Sequence, residues 1–145
     1  TERAFAQRTF VSRFGRFPIA GDAMLIPRSP LISVTSVTYY DTSNALQTLS
    51  SSLYVVRTDT TPGSLEPVVG QSWPDTAIRG DAVTVTYVAG YGLVSDVPPR
   101  AKQAMKLLVG HMYENREGSS VGVDVKEIPM GVEALLWTLR TGVVR

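Results

Sequence analysis

The sequence predicts an α+β fold: a strand-rich N-terminal portion of antiparallel hairpins, residues 1–92, then a helical portion, residues 93–145, with a long amphipathic helix and a C-terminal helix. Three observations predict it. β-branched and aromatic residues recur with a period of two as far as Gly92, separated by clusters of Gly, Pro, Asp, Asn and Ser. Beyond Gly92 the apolar period lengthens to about 3.6 residues. A chain of 145 residues, 43% of them hydrophobic, can bury one core but is short for two domains of ordinary size, so one compact domain is expected.

The segment RTFVSRF places Phe10 and Phe14 on one face and Val11 and Arg13 on the other. DAMLIP follows the turn signal Ile19-Ala20-Gly21-Asp22, and the two segments are expected to pair as a hairpin. Leu31 to Asp41, LISVTSVTYYD, is rich in β-branched residues, and SNALQTLS reads as its return strand across a polar turn. Pro27 and Pro30 precede that strand, so its first end should be an edge or a bend. Leu53 to Asp59 supplies another strand, Thr61-Pro62-Gly63 a turn, and SLEPV a short edge strand. VVGQSWPDTAIRGD is a loop whose Trp73 should plug the end of a small sheet. AVTVTYVAGYG then alternates strictly, Val83, Val85 and Tyr87 against Thr84, Thr86 and Val88, with one face for the core and one for water.

In the helical portion, Pro98 and Pro99 suit a first helical turn, with Ser95 and Asp96 as capping candidates. A helix from Pro98 to Glu117 places Ala101, Ala104, Met105, Leu108, Met112 and Asn115 on one face, the expected core face. Gly110 falls on the polar side. GSSVGVDVKE is a flexible connector. A last helix starts at Pro129, with Val132, Leu135, Leu136 and Leu139 at i, i+3, i+4, i+7 and Trp137 off that stripe.

Composition excludes several function classes. Fourteen basic and thirteen acidic residues leave a net charge of +1, so no overall field recruits nucleic acid or an anionic membrane. There is no cysteine, hence no disulfide framework, thiolate metal site or thiol chemistry. No uninterrupted apolar run approaches the roughly 18 residues that span a bilayer. His111, the one histidine, lies on the flank of the apolar stripe with Glu114 at i+3, and neither a catalytic triad nor a metal site can be assembled around it. No catalytic residue, metal ligand or cofactor site is therefore assigned. AGYG lacks the spacing of a phosphate-binding loop. Asp41, Asp59, Asp75 and Asp81 sit in turn-like positions, where aspartate bonds its own backbone. Arg79-Gly80-Asp81 matches a short adhesion tripeptide that chance explains better. Arg3, Arg8, Arg13 and Arg16, interleaved with Phe5, Phe10, Phe14 and Phe17, form a modest basic cluster that reads as a solvated strand face before it reads as a phosphate contact.

In order along the chain, TERAFAQRTF, LIPRSPLISVTSVTYYD, YVVRTD, SWP, VTVTYVAGYG, VPPRAKQAMKLLVGHMYENRE and IPMGVEALL resemble the head-tail connector (adaptor) proteins of tailed bacteriophages and gene transfer agents. The resemblance covers nearly the whole chain, and its most specific parts are PRSPLISVTSVTYYD, the junction from YVAGYG to VPPRAKQA, the helix end HMYENRE and the close PMGVEALL. It implies a structural protein of the virion neck, assembled in the bacterial cytoplasm: a homo-oligomeric ring of twelve copies that binds the portal protein, receives a tail stopper or completion protein, and extends a channel through which DNA passes without specific binding. His111, Tyr113, Glu114, Asn115 and Arg116 then match a helix-end signature and no catalytic motif. The resemblance also implies a helical segment upstream of Thr1, and a C-terminal segment that engages the portal. Val132, Leu135, Leu136, Trp137, Leu139 and Arg140 are the expected portal-contact residues, because Trp137 is left over once the stripe has packed. Another virion part, a stopper or tail-completion protein, is the alternative, and a small carbohydrate-binding or hydrolytic β module comes third.

Overall fold

The computed structural model describes residues 3–114 and 130–140, which form two compact units: a β unit up to Gly92 and a helical unit from Leu93 onward. Strand β1 (Arg8–Phe14), β2 (Met24–Leu25), β3 (Leu31–Tyr40), β4 (Leu46–Thr48), β5 (Tyr54–Arg57), β6 (Ser64–Pro67) and β7 (Val83–Ala89) build the first unit. They form a four-stranded antiparallel sheet in the order β1-β7-β3-β4 and a three-stranded one in the order β2-β6-β5.

β7 is the organising strand. Its alternation is realised residue by residue: Val83, Val85, Tyr87 and Ala89 are buried, while Thr84, Thr86 and Val88 stay partly exposed. The buried side shares one core with Leu31 and Val37 of β3 and with Met24, Ile26, Tyr54 and Leu65 from the smaller sheet and its flanks. Tyr87 is fully buried, its hydroxyl 3.1 Å from Ser12 Oγ, and burial pushes its pKa up.

The expected hairpin of RTFVSRF with DAMLIP does not form. β1 instead pairs with β7 from Arg8↔Ala89 to Phe14↔Val83, and Phe10 stacks on Tyr87 with ring centroids 5.9 Å apart. The reason is length: β7 offers seven residues of ladder and a continuous apolar face, while the two-residue β2 pairs with β6. The hairpin of β3 and β4 forms as expected. The Leu31 end of β3 is flanked by β7 on one side only, and register shifts interrupt it twice, so the prolines do mark an edge and a bend. β6 is a middle strand, against the edge position expected for it. Proline is tolerated there because β2 stops opposite Leu65, leaving Pro67 paired with β5 alone.

Trp73 plugs the core as expected. It is 9% exposed, stacks parallel on Phe17 with centroids 4.9 Å apart, and donates Nε1–H to the Asp22 carbonyl at 2.9 Å. Gly90, at φ +118°, releases the chain from β7; a Cβ there would collide with the Ala6 carbonyl.

The helical unit begins with a 3₁₀ turn, Val94–Asp96, before α1 (Pro99–Glu114), and α1 packs against α2 (Met130–Trp137). Pro98 supplies the carbonyl that accepts from the N–H groups of Ala101 and Lys102. Asp96 serves the preceding turn, its carboxylate accepting from Leu93 N–H at 3.3 Å and from the Ser95 hydroxyl at 3.0 Å, while the Ser95 carbonyl ties that turn to α1 by accepting from Lys102 Nζ at 3.3 Å. Asn115, Arg116, Glu117, the connector and Pro129 lie outside the described residues.

Candidate assembly surface

Each helix carries two apolar stripes, and only one per helix is withdrawn from water. On α1 the withdrawn residues are Ala101 and Ala104, with Leu108 half-buried beside them. Met105 and Met112, expected in the core, are 47% and 63% exposed. At 100° per residue they turn away from Ala104 and align with Val109 and Tyr113, which are 66% and 69% exposed. Met105, Val109, Met112 and Tyr113 thus form a second stripe at i, i+4, i+7, i+8. Its signal was in the sequence: Val109 lies one turn after Met105 and Tyr113 one turn after that, a line hidden by assigning both methionines to the inner face. Gly110 is exposed, and no heavy atom lies within 4 Å of the position a Cβ would take.

On α2 the sequence-derived stripe does face inward at both ends. Val132 is 1% exposed and Leu139, in the turn closed by Leu139 N–H to the Leu136 carbonyl, is 7% exposed. Leu135 and Leu136 are half-buried. Trp137 stands off the stripe at 64% exposure, with the Arg140 guanidinium 4.4 Å over its ring. Met130, Glu133, Ala134 and Trp137, at i, i+3, i+4, i+7, line a shallow surface depression. Of the six expected contact residues, the structure therefore sends Trp137 and Arg140 outward and encloses Val132 and Leu139.

The residues weighed for chemistry are dispersed. His111 is half-buried on the flank of the inner stripe, as its position predicts, and among the described residues no three His, Cys, Asp or Glu side chains converge as metal ligands. The Arg79 guanidinium forks onto Asp81, Nε to Oδ1 at 2.6 Å and Nη2 to Oδ2 at 2.9 Å. That hydrogen-bonded pair raises the Arg79 pKa and lowers that of Asp81, and it commits both charged ends of the tripeptide to each other. Arg79 also donates to Asn44 Oδ1 and lies 3.9 Å over the Tyr40 ring, tying its loop to the tip of the β3–β4 hairpin. Asp41 bonds its own turn as expected: Oδ1 accepts from the N–H groups of Ser43 and Ala45 and Oδ2 from Gln47 Nε2. The Gln47 bond is the main cause of its lowered pKa. Phe10, Phe14 and Phe17 pack on the core, so they offer no stacking platform for bases, while Arg8, Arg13 and Arg16 are exposed.

No family model matches, and no curated protein matches. Solved structures do. The chain is similar to a chain in the neck of a native gene transfer agent particle computed with C12 symmetry, at 23% identity and a TM-score of 0.72, over 99% of this chain and 75% of that one. It is also similar to a chain of the virion of a native gene transfer agent particle, at 24% identity and a TM-score of 0.71, over 99% and 70%. A third match is to the neck of an empty particle computed with C6 symmetry, at 23% identity and a TM-score of 0.69, over 99% and 70%.

The fold is shared with gene transfer agent particle chains. At these identities the likeness establishes the α+β architecture across the chain, with its strand-rich first part and helical second part.

Proposed function

We propose that this chain is a structural ring subunit of the neck of a phage-like particle, joining the capsid portal to the tail and extending the DNA channel. The observation that carries the reading is the fold likeness over 99% of the chain to a chain of a particle neck computed with C12 symmetry. The surface supports it. A ring subunit makes heterologous contacts that close by rotation, so it needs apolar patches in more than one direction and no catalytic cluster. The outward stripe of α1 and the depression on α2 are two such patches. In this reading α2 and the tail to Arg145 engage the portal, with Trp137 and Arg140 as the contact and Leu135 and Leu136 half-buried beside them, while Val132 and Leu139 hold the helix in place.

The test is imaging of the purified protein with and without portal, together with deletion of residues 129–145. The intact chain should form rings of fixed subunit number on portal-bearing heads, and the truncated chain should keep its β unit but no longer dock. Docking of the truncated chain at unchanged occupancy would move the contact to the β unit. Rings that bind tail components but never portal would make the protein a stopper or completion protein instead.

A further inference from the structure

The two sheets end in four edge strands, β1 and β4 in the larger and β2 and β5 in the smaller. β2, β4 and β5 are two, three and four residues long, and short edges template little pairing. β1 differs: it runs for seven residues, contains no proline and pairs with β7 without a bulge. Every second residue of such a strand turns its N–H and C=O away from the sheet. Among the described residues nothing but β7 bonds the β1 backbone. Register sorts the side chains into two rows. Phe10, Ser12 and Phe14 share the core side with Tyr87, Val85 and Val83 yet stay half-buried, because β1 is the last strand of its sheet; Thr9, Val11 and Arg13 face water. From Arg3 to Gly21 the chain has four arginines and no acidic residue.

A further strand on this edge would cover Phe10 and Phe14 with apolar side chains on one side and set an acidic side chain beside Arg13 on the other. Residues 121–126, outside the described residues, carry that pattern: Val121, Val123 and Val125 alternate with Gly122, Asp124 and Lys126. Period-two alternation of β-branched residues is the signature of a half-buried strand, and Asp124 falls on the side opposite the valines. We propose that residues 121–126 of one copy add to β1 of the next copy as a fifth strand of its larger sheet. Backbone hydrogen bonds supply the attraction and the alternate side chains the register. The pairing is heterologous, an open edge on one copy and a strand-patterned segment on its neighbour, which is the kind of contact that closes a ring by rotation. The inference rests on the connector reading for the neighbouring copy and on the β1 edge for the pairing.

The test is disulfide cross-linking, since the chain has no cysteine of its own. Chains bearing Val11→Cys are mixed with size-tagged chains bearing Gly122→Cys or Lys126→Cys, incubated with portal-bearing heads and oxidised, and a non-reducing gel is read for dimers holding one chain of each kind. With Asp124 beside Arg13, residue 122 meets Val11 in a parallel pairing and residue 126 in an antiparallel one, so one of the two mixtures should cross-link. Val55→Cys, on the β5 edge, should link with neither. Val123→Pro with Asp124→Pro removes two successive donors, one of which must face β1, and should cut the cross-link about tenfold. Arg13→Glu should weaken it and Asp124→Arg in the partner chain should restore it; this exchange decides if circular dichroism shows that the proline variant is unfolded. The proposal is overturned if neither mixture cross-links, if Val55→Cys links as well, or if chains carrying both cysteines link only within themselves. Rings on portal without the cross-link would sink this inference alone; cross-linked chains that never dock on portal would sink the connector reading alone.

Discussion

Replacing Val132 and Trp137 by alanine, one at a time, separates the two faces of α2. Val132 is 1% exposed, so Val132→Ala removes two buried methyl groups, worth about 1.6 kcal/mol at about 0.8 kcal/mol each. A partly relaxed cavity brings the cost to about 2–3 kcal/mol. Trp137 is larger but 64% exposed, and its removal from the free chain should cost about 1 kcal/mol or less. The order is thus the reverse of what residue size suggests. Urea unfolding followed by far-ultraviolet circular dichroism compares the two variants. The chain has two tryptophans, one in each unit, so Trp73→Phe leaves Trp137 to report on the helical unit by fluorescence when Val132 is altered. Attachment to portal-bearing heads should follow the opposite order, lost with Trp137→Ala and retained with Val132→Ala at temperatures where the helices stay folded. Equal midpoints, or a Trp137→Ala variant less stable than Val132→Ala, would refute the assignment of faces.

Three further outcomes are expected. Gly90→Ala, at φ +118° and against the Ala6 carbonyl, should lower stability by about 2–4 kcal/mol in thermal or urea melts, because both backbone conformation and space oppose a side chain. The lowered pKa values of Asp41 and Asp81 mean that folding holds their charged forms, so their contribution is complete above the ordinary value of 3.8 and is lost as pH falls through their lower folded values. Asp41→Asn and Asp81→Asn should accordingly flatten the acid limb of a stability-versus-pH curve and leave its neutral limb parallel to that of the parent. His111→Gln should change stability by no more than about 1 kcal/mol and leave ring formation intact, checked by melting and imaging; a folded variant that no longer assembles would give the imidazole a role that its half-buried flank position does not suggest.

The parts of the fold legible in the sequence are those whose cause is local. Alternation in VTVTYVA follows from one face being buried along a whole strand, and the Asp41 turn follows from a carboxylate short enough to bond its own backbone. Strand partners were less legible. Nothing in RTFVSRF names β7, some seventy residues on, as its neighbour; the match of length and of Phe10 with Tyr87 exists only once both strands are present. SLEPV reads as an edge because proline cannot donate to a ladder, yet it stands mid-sheet because β2 is too short to reach Pro67.

For the candidate surfaces the same division holds. By itself the sequence determined that α1 and α2 are amphipathic, that Trp137 is surplus to the α2 stripe, that no histidine or cysteine cluster supplies chemistry, and that charge is balanced. Each of these depends on composition or on spacing within one element. Tertiary structure alone decided that Met105 and Met112 belong to an outer stripe with Val109 and Tyr113, and that β1 stands at the edge of its sheet. A helical wheel fixes the angle between residues but not which angle meets a neighbour, and a strand fixes which residues share a side but not which other strands lie beside it. Both are settled by where the largest apolar area can be buried at once, a property of the assembled elements and of no single segment.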